Sequence, residues 1–576
     1  MFYLALLPGL YLLILILKYS VDVPYWDQWE LALFFDKLEQ GSLSFKDLFA
    51  QQNEYRQFFP NLVFVALGRL TSWNVKYEML ISFFLSCLIC FNVYYLQRLT
   101  VYDDQLQRPL MFFVSNIFIF SPIQYENWLF GVQIIYFIPI LCITTCIIVI
   151  YSKLKTILKF FICMCLSSIS TFSSANGILC WIVVFPILAL SKPRNELASK
   201  KYYLIAWIIS FILNISVYLY KYQTPSQHPS LSMPISHPLD ALIYFLAFLG
   251  GLPVLGVYQT YSVALSSIIG MVLITIFLIA YPSIFRISKT SCQTYALYAW
   301  LAIAAYSLLT AIIATFARLG FGVHQALSSR YTTFSLYIIV SLINITPIIA
   351  NHLKHKRQLS RCKVWSYQII SPVVLLIVLF HLSIFNIMVD RMALMRLQRL
   401  HAKACLLFIN YVEDECLTKK VYPYIDILRQ RANTLNNLGY LRPNLIASNR
   451  VNDIAADDEH NAYGYGTFES LQKGNRYIAS GWAALPERRE PPDAVLLAYD
   501  NVDGHPVVFA LTNVGADSGL TRSMIHGDPQ FRWRWHKSFS LDGLPATPLK
   551  FTAWAFDAER GKAFKLNGAH ATQTLE

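Results

Sequence analysis

Residues 2–17 read FYLALLPGLYLLILIL, and residues 21–30, just beyond them, read VDVPYWDQWE. The first stretch is apolar and nearly as long as a membrane-spanning helix, which needs about 20 residues. The second stretch places three carboxylates and three aromatic rings immediately outside that helix. This pattern is typical either of an acidic site at the water–lipid boundary or of an aromatic belt with solvated acids. We favour the first interpretation and predict that Asp27 takes part in chemistry.

The composition of the whole chain also indicates a membrane protein. Of its 576 residues, 56% are hydrophobic and 14% are charged, whereas about 25% of residues are charged in soluble domains. The net charge of +13 comes with Lys and Arg residues placed mostly in short loops between apolar runs, where they determine topology. Because no basic stripe could follow a phosphate backbone, we exclude nucleic acid as a partner.

Eleven apolar runs are predicted to cross the membrane, with the N-terminus in the cytoplasm and the C-terminal part outside. They are residues 2–17, 79–97, 110–122, 131–151, two passes within 160–191, then 202–220, 261–282, 294–316, 331–350 and 364–389. This topology keeps most basic loops on the inner side. Residues 241–257 contain a Gly250-Gly251-Leu252-Pro253 break, and a re-entrant helix and a full span are both open. We favour the re-entrant helix, because a twelfth span would move the basic loop at 354–363 outside.

The sequence changes character at residue 390. Apolar residues at helical spacing begin at Arg391 and predict an extracytoplasmic helical segment. Short alternating runs with Asp-Gly turns predict a small antiparallel β-sandwich. These runs are residues 494–499, 506–511 and 549–556, and the turns are at 503–504 and 542–543. The predicted domains are therefore a transmembrane domain (1–389), a helical segment (390–448) and a β-sandwich domain (449–576). Cys405 and Cys416 lie in the helical segment. The sequence leaves open whether they form a disulfide or stay as free thiols.

Polar residues that could carry chemistry all fall on the outer side of this topology. They are Asp22, Asp27, Glu30, Glu54, Tyr55, Arg56, Glu126, Asn127, Trp128, Arg318, His324, Arg330 and Tyr331. Acids come from early loops and arginines from a late one, and ionisable groups at membrane depth are usually functional. An acid facing arginines across a cavity suits a general base opposite a phosphate site, because guanidinium groups bind phosphate through two parallel bonds. The alternative for each arginine is a lipid-headgroup anchor or an ion-pair partner.

Motifs for other chemistry are missing from the sequence. A lone histidine in an outer loop, such as His324, is more typical of a surface residue than of a base. No H-E-x-x-H spacing occurs, and Cys87 and Cys90 form a C-x-x-C only within an apolar span, so we predict no metal site. A divalent metal cofactor nevertheless stays open. The absence of a phosphate-binding glycine loop and of G-x-S-x-G gives no support to nucleotide-driven or serine-based chemistry.

The layout resembles the GT-C superfamily of membrane glycosyltransferases, which includes protein O-mannosyltransferases and the aminoarabinose transferases of lipid A. Those enzymes have a first span followed at once by an external loop with an essential acid, here Asp27 within residues 25–29. A loop helix opening with proline precedes their second span, here at Phe58-Phe59-Pro60. The resemblance covers residues 1–390 in layout. The acid pair often found in the family is replaced by Asp27-Gln28, with Glu30 two residues further on.

The resemblance implies an inverting enzyme of cell-envelope glycan biosynthesis in the bacterial inner (plasma) membrane. It would transfer a sugar from a polyprenyl-phosphate carrier to an acceptor hydroxyl of a glycan, lipid or protein on the extracytoplasmic face. Asp27 is then the general base, with Glu30 as the second catalytic acid. The carrier phosphate is assigned to Arg56, Arg318, Arg330 and Tyr331. The substrate-binding residues are Trp26, Trp29, Glu54, Glu126, Trp128 and His324.

Two other functions are compatible with many spans and outer arginines. A flippase or transporter of lipid-linked sugars would commonly show repeats and broken helices in both halves, and we find no such symmetry. An O-antigen-type ligase or polymerase would concentrate its polar residues in one large late loop, whereas the acidic loop comes first here. The identities of the sugar and of the acceptor and the oligomeric state are left open by the sequence.

Overall fold

The computed structural model divides the chain into two compact units. It describes residues 3–100, 107–190, 197–225, 228–251, 259–286, 292–355, 361–456, 464–485, 487–488, 490–512, 514, 533–545 and 549–572. The first unit consists of Met1–Lys18, Ser44–Phe64 and Glu78–Val389, and the second of Tyr19–Leu43, Val65–Tyr77 and Asp390–Glu576. Two segments of the predicted early outer loops therefore belong to the same unit as the C-terminal part of the chain.

The described residues as far as Ser383 fold into helices joined by turns and loops. The α-helices are Leu7–Tyr19, Ala32–Glu39, Phe45–Phe49, Phe58–Thr71, Lys76–Thr100, Gln107–Ile119, Tyr125–Trp128, Ile134–Tyr151, Thr156–Thr171, Leu179–Leu190, Leu197–Leu219, Met233–Ser236, Pro238–Gly250, Gln259–Arg286, Cys292–Arg318, Ser329–His355 and Arg361–Ser383. Short 3-10 turns extend several of them, at Tyr3–Leu6, Trp26–Leu31, Pro122–Gln124, Gly131–Gln133, Ala175–Ile178, Leu319–Phe321 and Val323–Leu327. The predicted loop helix opening at Phe58-Phe59-Pro60 is confirmed as a helix.

Seven of the described helices are long and apolar enough to cross a membrane. They are Lys76–Thr100, Gly131–Tyr151, Lys201–Leu219, Tyr261–Leu278, Leu297–Phe321, Ser329–Ile348 and Pro372–Leu407. Shorter apolar helices include Thr156–Thr171 and Ala175–Leu190, which confirms the predicted break within residues 160–191. The apolar runs of the sequence are therefore helices, and the number of eleven crossings stays a prediction.

Glycines allow the helices Pro238–Gly250 and Gln259–Arg286 of the first unit to pack closely against each other. A Cβ atom on Gly250 would collide with the backbone of Ser266, and one on Gly270 with the backbone of Leu246, so these two helices pack backbone to backbone. Gly251 ends the helix Pro238–Gly250 in a left-handed conformation, with a φ of +59°, at the predicted break. Residues 252–258 lie outside the described residues. Whether residues 241–257 form a re-entrant helix or a full span therefore stays a prediction.

Three helices and two sheets form the C-terminal part of the second unit. The helices are Phe385–Leu407, Asp414–Lys420 and Ile425–Asn437. The predicted segment 390–448 is therefore largely helical, although its first helix begins at Phe385, and its extracytoplasmic position stays a prediction. A disulfide joins Cys405 to Cys416, with 6.1 Å between their Cα atoms. Residues 457–463, near the start of the predicted β-sandwich domain, lie outside the described residues.

The sheets confirm the predicted antiparallel β-sandwich. Its strands are β1 (Gly466–Lys473), β2 (Tyr477–Ala483), β3 (Ala494–Asp500), β4 (Pro506–Thr512), β5 (Trp533–Phe539), β6 (Lys550–Asp557), β7 (Lys562–Lys565) and β8 (His570–Ala571). One sheet has the order β1-β2-β5, and the other has the order β4-β3-β6-β7 with β8 beside β6. Phe468 and Trp535 of the first sheet share one buried core with Val495, Leu497 and Phe551 of the second. The core forms because alternate residues of each strand face the opposite sheet.

Candidate functional site

The first cluster of predicted site residues surrounds Glu54. Backbone hydrogen bonds in both directions between Gln52 and Tyr55 close a tight turn that carries Glu54. The Glu54 carboxylate forms an ion pair with Arg318, and His228 Nε2 lies 3.0 Å from Glu54 Oε2. Burial lowers the pKa of His228, so the imidazole is neutral at pH 7 and Glu54 and Arg318 balance each other's charge. Arg318 is therefore the ion-pair partner of an acid, which was the alternative to a phosphate ligand for each of the arginines.

Arg56 makes the contacts of a helix cap. Its Nε donates to the carbonyl oxygen of Tyr218 at 2.7 Å, and its two terminal nitrogens donate to the carbonyl oxygens of Tyr220 and Phe49. The last carbonyl groups of a helix lack intrahelical partners and carry partial negative charge, which a cation satisfies. Arg56 thus closes the end of the helix Leu197–Leu219. All three guanidinium nitrogens donate hydrogen bonds to backbone carbonyl oxygens. The sequence predicts instead that Arg56 binds the carrier phosphate.

A second cluster forms where residues 123–127 meet the start of the helix Ser329–His355. Ser329 Oγ donates to the carbonyl oxygen of Ile123 at 2.7 Å, and Asn127 Nδ2 donates to the carbonyl oxygen of Arg330 at 2.9 Å. Glu126 Oε2 accepts a hydrogen bond of 3.1 Å from the backbone N–H of Arg330. An acid at the first turn of a helix is stabilised there by the exposed N–H groups. Glu126 therefore fixes the helix start rather than presenting itself for substrate.

The guanidinium of Arg330 differs from those of Arg56 and Arg318. Its Nε is buried and has no hydrogen-bond partner among the described residues. Its nearest charged neighbour in electrostatic terms is Glu126, whose carboxylate is bonded to backbone. Burying a cation without a bonded anion is costly. Arg330 therefore has unused capacity to bind an anion.

Tyrosines surround Arg330. The Tyr331 ring lies 5.4 Å from the Arg330 guanidinium carbon and stacks on Phe248. Tyr55 and Tyr136 interact with each other and act electrostatically on Arg330. Burial raises the pKa of Tyr55 well above its ordinary value, so its hydroxyl stays a neutral hydrogen-bond donor at physiological pH. A cation with neutral tyrosine hydroxyls in its neighbourhood is suited chemically to bind an oxyanion.

The other predicted substrate-binding residues of the first unit are placed less favourably. Trp128 is fully buried, stacks on Phe137 and donates its indole N–H to the carbonyl oxygen of Ser121. Its polar atom is thus used within the fold. His324 is exposed in the turn Val323–Leu327, as a surface histidine would be. These two side chains do not join the cluster around Arg330 through any contact that the described residues show.

The acidic loop lies in the second unit, where Asp27 is exposed. Trp26, just before it, has a φ of +46°, which is rare for a bulky residue, and its N–H donates to the carbonyl oxygen of Val421 at 2.9 Å. Trp26 is exposed, whereas Trp29 is buried edge-to-face against Trp73. The turn thus buries one tryptophan as an anchor and leaves Trp26 and Asp27 on the surface of the unit.

Glu30 is held by residues from the C-terminal helices. Its carboxylate lies 3.0 Å from Arg431 Nη1 and accepts a hydrogen bond from the hydroxyl of Tyr422. Arg431 also donates to the carbonyl oxygen of Trp29 at 2.9 Å. Burial opposes the charged form, but these bonds outweigh burial and lower the pKa of Glu30. The sequence predicted a second catalytic acid here, and the contacts are instead those of an anchor for the acidic loop.

Replacing Glu30 with glutamine is expected to destabilise the second unit by on the order of 1 kcal/mol at pH 7, the upper range for a partly exposed ion pair. Because the folded pKa lies below the ordinary value of 4.5, the contribution is present above pH 4.5 and is lost as pH falls through the folded pKa. Thermal unfolding of both proteins in detergent at pH 7 and pH 4 measures the difference. Glu415→Gln, which removes an exposed ion pair with Lys419, is the matched control. Equal stability of wild type and Glu30→Gln at pH 7 would contradict the assignment.

Sequence reasoning found part of this arrangement. The sequence predicts Glu54, Arg318 and Arg330 as site residues, but it gives no signal for Tyr136, which lies in a continuous apolar run. Tyr55 was marked only as the middle residue of Glu-Tyr-Arg. Asp27 and Glu30 lie in the second unit and the three arginines in the first, so the predicted approach of Asp27 to the arginines stays a prediction. Comparison of the chain with models of protein families, with curated proteins and with solved structures finds no match.

Proposed function

We propose that this protein is an integral membrane glycosyltransferase that transfers a sugar from a polyprenyl-phosphate carrier to an acceptor hydroxyl. The acceptor side is the extracytoplasmic face of a bacterial inner membrane. The observation that carries the proposal is the half-buried Arg330 guanidinium, whose buried Nε has no hydrogen-bond partner among the described residues. The resemblance of the chain's layout to GT-C transferases and its seven apolar helices support the same conclusion.

The anion that suits Arg330 is a phosphate ester of a lipid. Arg330 is the second residue of the apolar helix Ser329–Ile348, so a ligand reaching it combines an oxyanion with a hydrocarbon chain. A guanidinium binds two phosphate oxygens through parallel charge-assisted hydrogen bonds. The neutral hydroxyls of Tyr55 and Tyr136 supply further donors close to the same cation. A polyprenyl phosphate combines both chemical features, and a free nucleotide lacks the apolar part.

In the proposed reaction, the acceptor oxygen attacks the anomeric carbon of the carrier-bound sugar. The new bond joins the acceptor oxygen to carbon, and the bond between carbon and the phosphate oxygen breaks, which inverts the anomeric configuration. Asp27 takes the hydroxyl proton as general base. Negative charge builds on the departing phosphate, where Arg330 stabilises it. Glu30 is revised to a positioning residue that holds the Asp27 loop through Arg431.

A transfer assay with full-length protein in detergent micelles tests the proposal. Polyprenyl phosphates carrying single labelled sugars are incubated with bacterial envelope extract as acceptor, and released polyprenyl phosphate and labelled product are measured. Release that depends on the protein supports the transferase. Micelles have no second compartment, so a flippase produces no release in this assay. Movement of the intact carrier between the leaflets of vesicles without release would contradict the proposal and favour a transporter. Growth of glycan chains on polyprenyl pyrophosphate alone would favour a polymerase.

A further inference from the structure

Three potential metal ligands converge in the second unit, apart from the residues discussed above. His401 and Cys405 are four residues apart on the helix Phe385–Leu407, so they share one face. Cys416 belongs to the next helix, Asp414–Lys420, and its Sγ lies 3.7 Å from His401 Nε2. The three ligand atoms all lie within 4.8 Å of one another. His401 and Cys405 are buried, and Cys416 is partly exposed, so the cluster has one side accessible to solvent.

The hydrogen bond on the far side of the imidazole fixes the tautomer of His401. His401 Nδ1 lies 2.8 Å from the carbonyl oxygen of Asp493, and a carbonyl oxygen can only accept. The proton therefore sits on Nδ1, and Nε2 directs its lone pair at Cys416. A disulfide sulfur has no proton to donate to that lone pair. A thiol proton or a metal ion can bind the lone pair of His401 Nε2. In metal-bound histidines, a backbone carbonyl group is a usual hydrogen-bond partner of the other ring nitrogen and orients the imidazole.

One ligand separation agrees with a tetrahedral zinc site, whereas the two sulfurs, which are bonded to each other in the disulfide, must move to about 3.8 Å apart after reduction. Zinc binds sulfur at about 2.3 Å and imidazole nitrogen at about 2.0–2.1 Å, which places the two ligand atoms about 3.6 Å apart at a tetrahedral angle. The observed separation of Cys416 Sγ and His401 Nε2 is 3.7 Å. Two thiolates also neutralise the charge of a divalent ion.

We propose that His401, Cys405 and Cys416 form a site for a thiophilic divalent cation such as Zn²⁺, which is available when the Cys405–Cys416 disulfide is reduced. A dithiol reductant supplies two electrons and two protons and breaks the S–S bond. The cation then displaces both thiol protons and binds two sulfurs and His401 Nε2. Three protein ligands leave the fourth tetrahedral position to water. The disulfide and the metal are therefore mutually exclusive links between the two helices.

Titration with Co²⁺, a spectroscopic substitute for Zn²⁺, tests the site in the full-length protein. The protein is reduced with a phosphine in detergent, freed of metal with a chelator, and titrated with Co²⁺. We expect one equivalent to bind with thiolate-to-cobalt absorption in the near ultraviolet and tetrahedral bands in the visible, both lost when Zn²⁺ is added. Cys416→Ser and His401→Gln are each expected to weaken binding more than about 100-fold, because even loss of an outer partner costs 10–100-fold.

Two controls make the result decisive. Cys165→Ser, which changes an exposed cysteine in another helix, should leave the cobalt spectrum unchanged. The oxidised wild-type protein has the same sequence and keeps the disulfide. It should give no thiolate-to-cobalt absorption. The proposal is overturned if the reduced wild type binds no more Co²⁺ than the Cys405→Ser/Cys416→Ser double variant. It is also overturned if the disulfide resists the phosphine while the protein stays folded, because the site would then never become available.

Discussion

Replacing Asp27 with asparagine is expected to reduce sugar transfer by about 10²–10⁴-fold, the contribution of a positioned general base. Asparagine has almost the same shape as aspartate but cannot accept the proton of the acceptor hydroxyl. The affinity for the polyprenyl-phosphate carrier should stay within about threefold of wild type, because the proposed phosphate ligand is Arg330. Transfer rates and carrier affinity are both measured on protein purified in the same detergent.

The exposed position of Asp27 separates a catalytic effect from a folding defect. Substitutions at exposed positions usually change the free energy of unfolding by less than about 0.5 kcal/mol, so Asp27→Asn should retain the wild-type melting temperature. Asp36→Asn makes the same chemical change on the nearby helix Ala32–Glu39 and should leave the transfer rate unchanged. Wild-type turnover in a folded Asp27→Asn protein would remove Asp27 as the base. A similar loss in Asp36→Asn would indicate a nonspecific effect of charge in this loop.

A double-mutant cycle tests whether Asp27 and Arg330 act in one reaction. If both serve the same transition state, the loss in the Asp27→Asn/Arg330→Ala protein should fall short of the product of the single losses, as happens for residues that act as a unit. Residues acting in unrelated processes give losses that multiply. Multiplying losses would show that the two residues contribute independently, and only a shortfall would show coupling between them.

The sequence predicts the elements of this fold well because their signals are local. Apolar runs of sufficient length become helices, and the alternation in residues 494–499 becomes β3, since each residue's environment repeats with the period of its element. Gly504 and Gly543 of the Asp-Gly turns have φ values of +78° and +80°, which glycine adopts without strain. Such features need no knowledge of distant partners.

The roles of the charged residues could not be predicted in the same way, because partners decide them. Arg56, Arg318 and Arg330 are identical in local character, yet one binds carbonyl groups, one pairs with Glu54, and one keeps a buried nitrogen unbonded. Glu30 meets Arg431, which is 401 residues further along the chain. Pairings over such separations arise from tertiary packing, and no periodicity in the sequence records them.

Replacing Arg330 with alanine is expected to weaken binding of polyprenyl phosphate by about 10–100-fold, because a hydrogen bond to a charged group contributes about 1.5–3 kcal/mol. Arg330→Lys should recover only part of the loss, since an ammonium keeps the charge but cannot form two parallel bonds. Displacement of a fluorescent polyprenyl phosphate from the purified protein measures the affinity. Arg476→Ala, which removes an exposed arginine from the turn between β1 and β2, is the matched control and should bind as wild type. Unchanged affinity in Arg330→Ala would refute the phosphate assignment.

The melting temperature provides an independent check at Arg330. Loss of the guanidinium is expected to weaken carrier binding but not to lower the melting temperature of the free protein. A half-buried guanidinium with an unbonded Nε costs free energy, so Arg330→Met should melt at the same temperature as wild type or higher when no carrier is present. Adding polyprenyl phosphate should stabilise wild type and not the variant, because only a state that binds the ligand gains stability from it. Arg56→Met should behave in the contrary way and lower the melting temperature without carrier, since it leaves the carbonyl oxygens of Tyr218 and Tyr220 unsatisfied. If Arg330→Met were as destabilising as Arg56→Met, Arg330 would be a structural residue, and the phosphate site would have to be sought elsewhere.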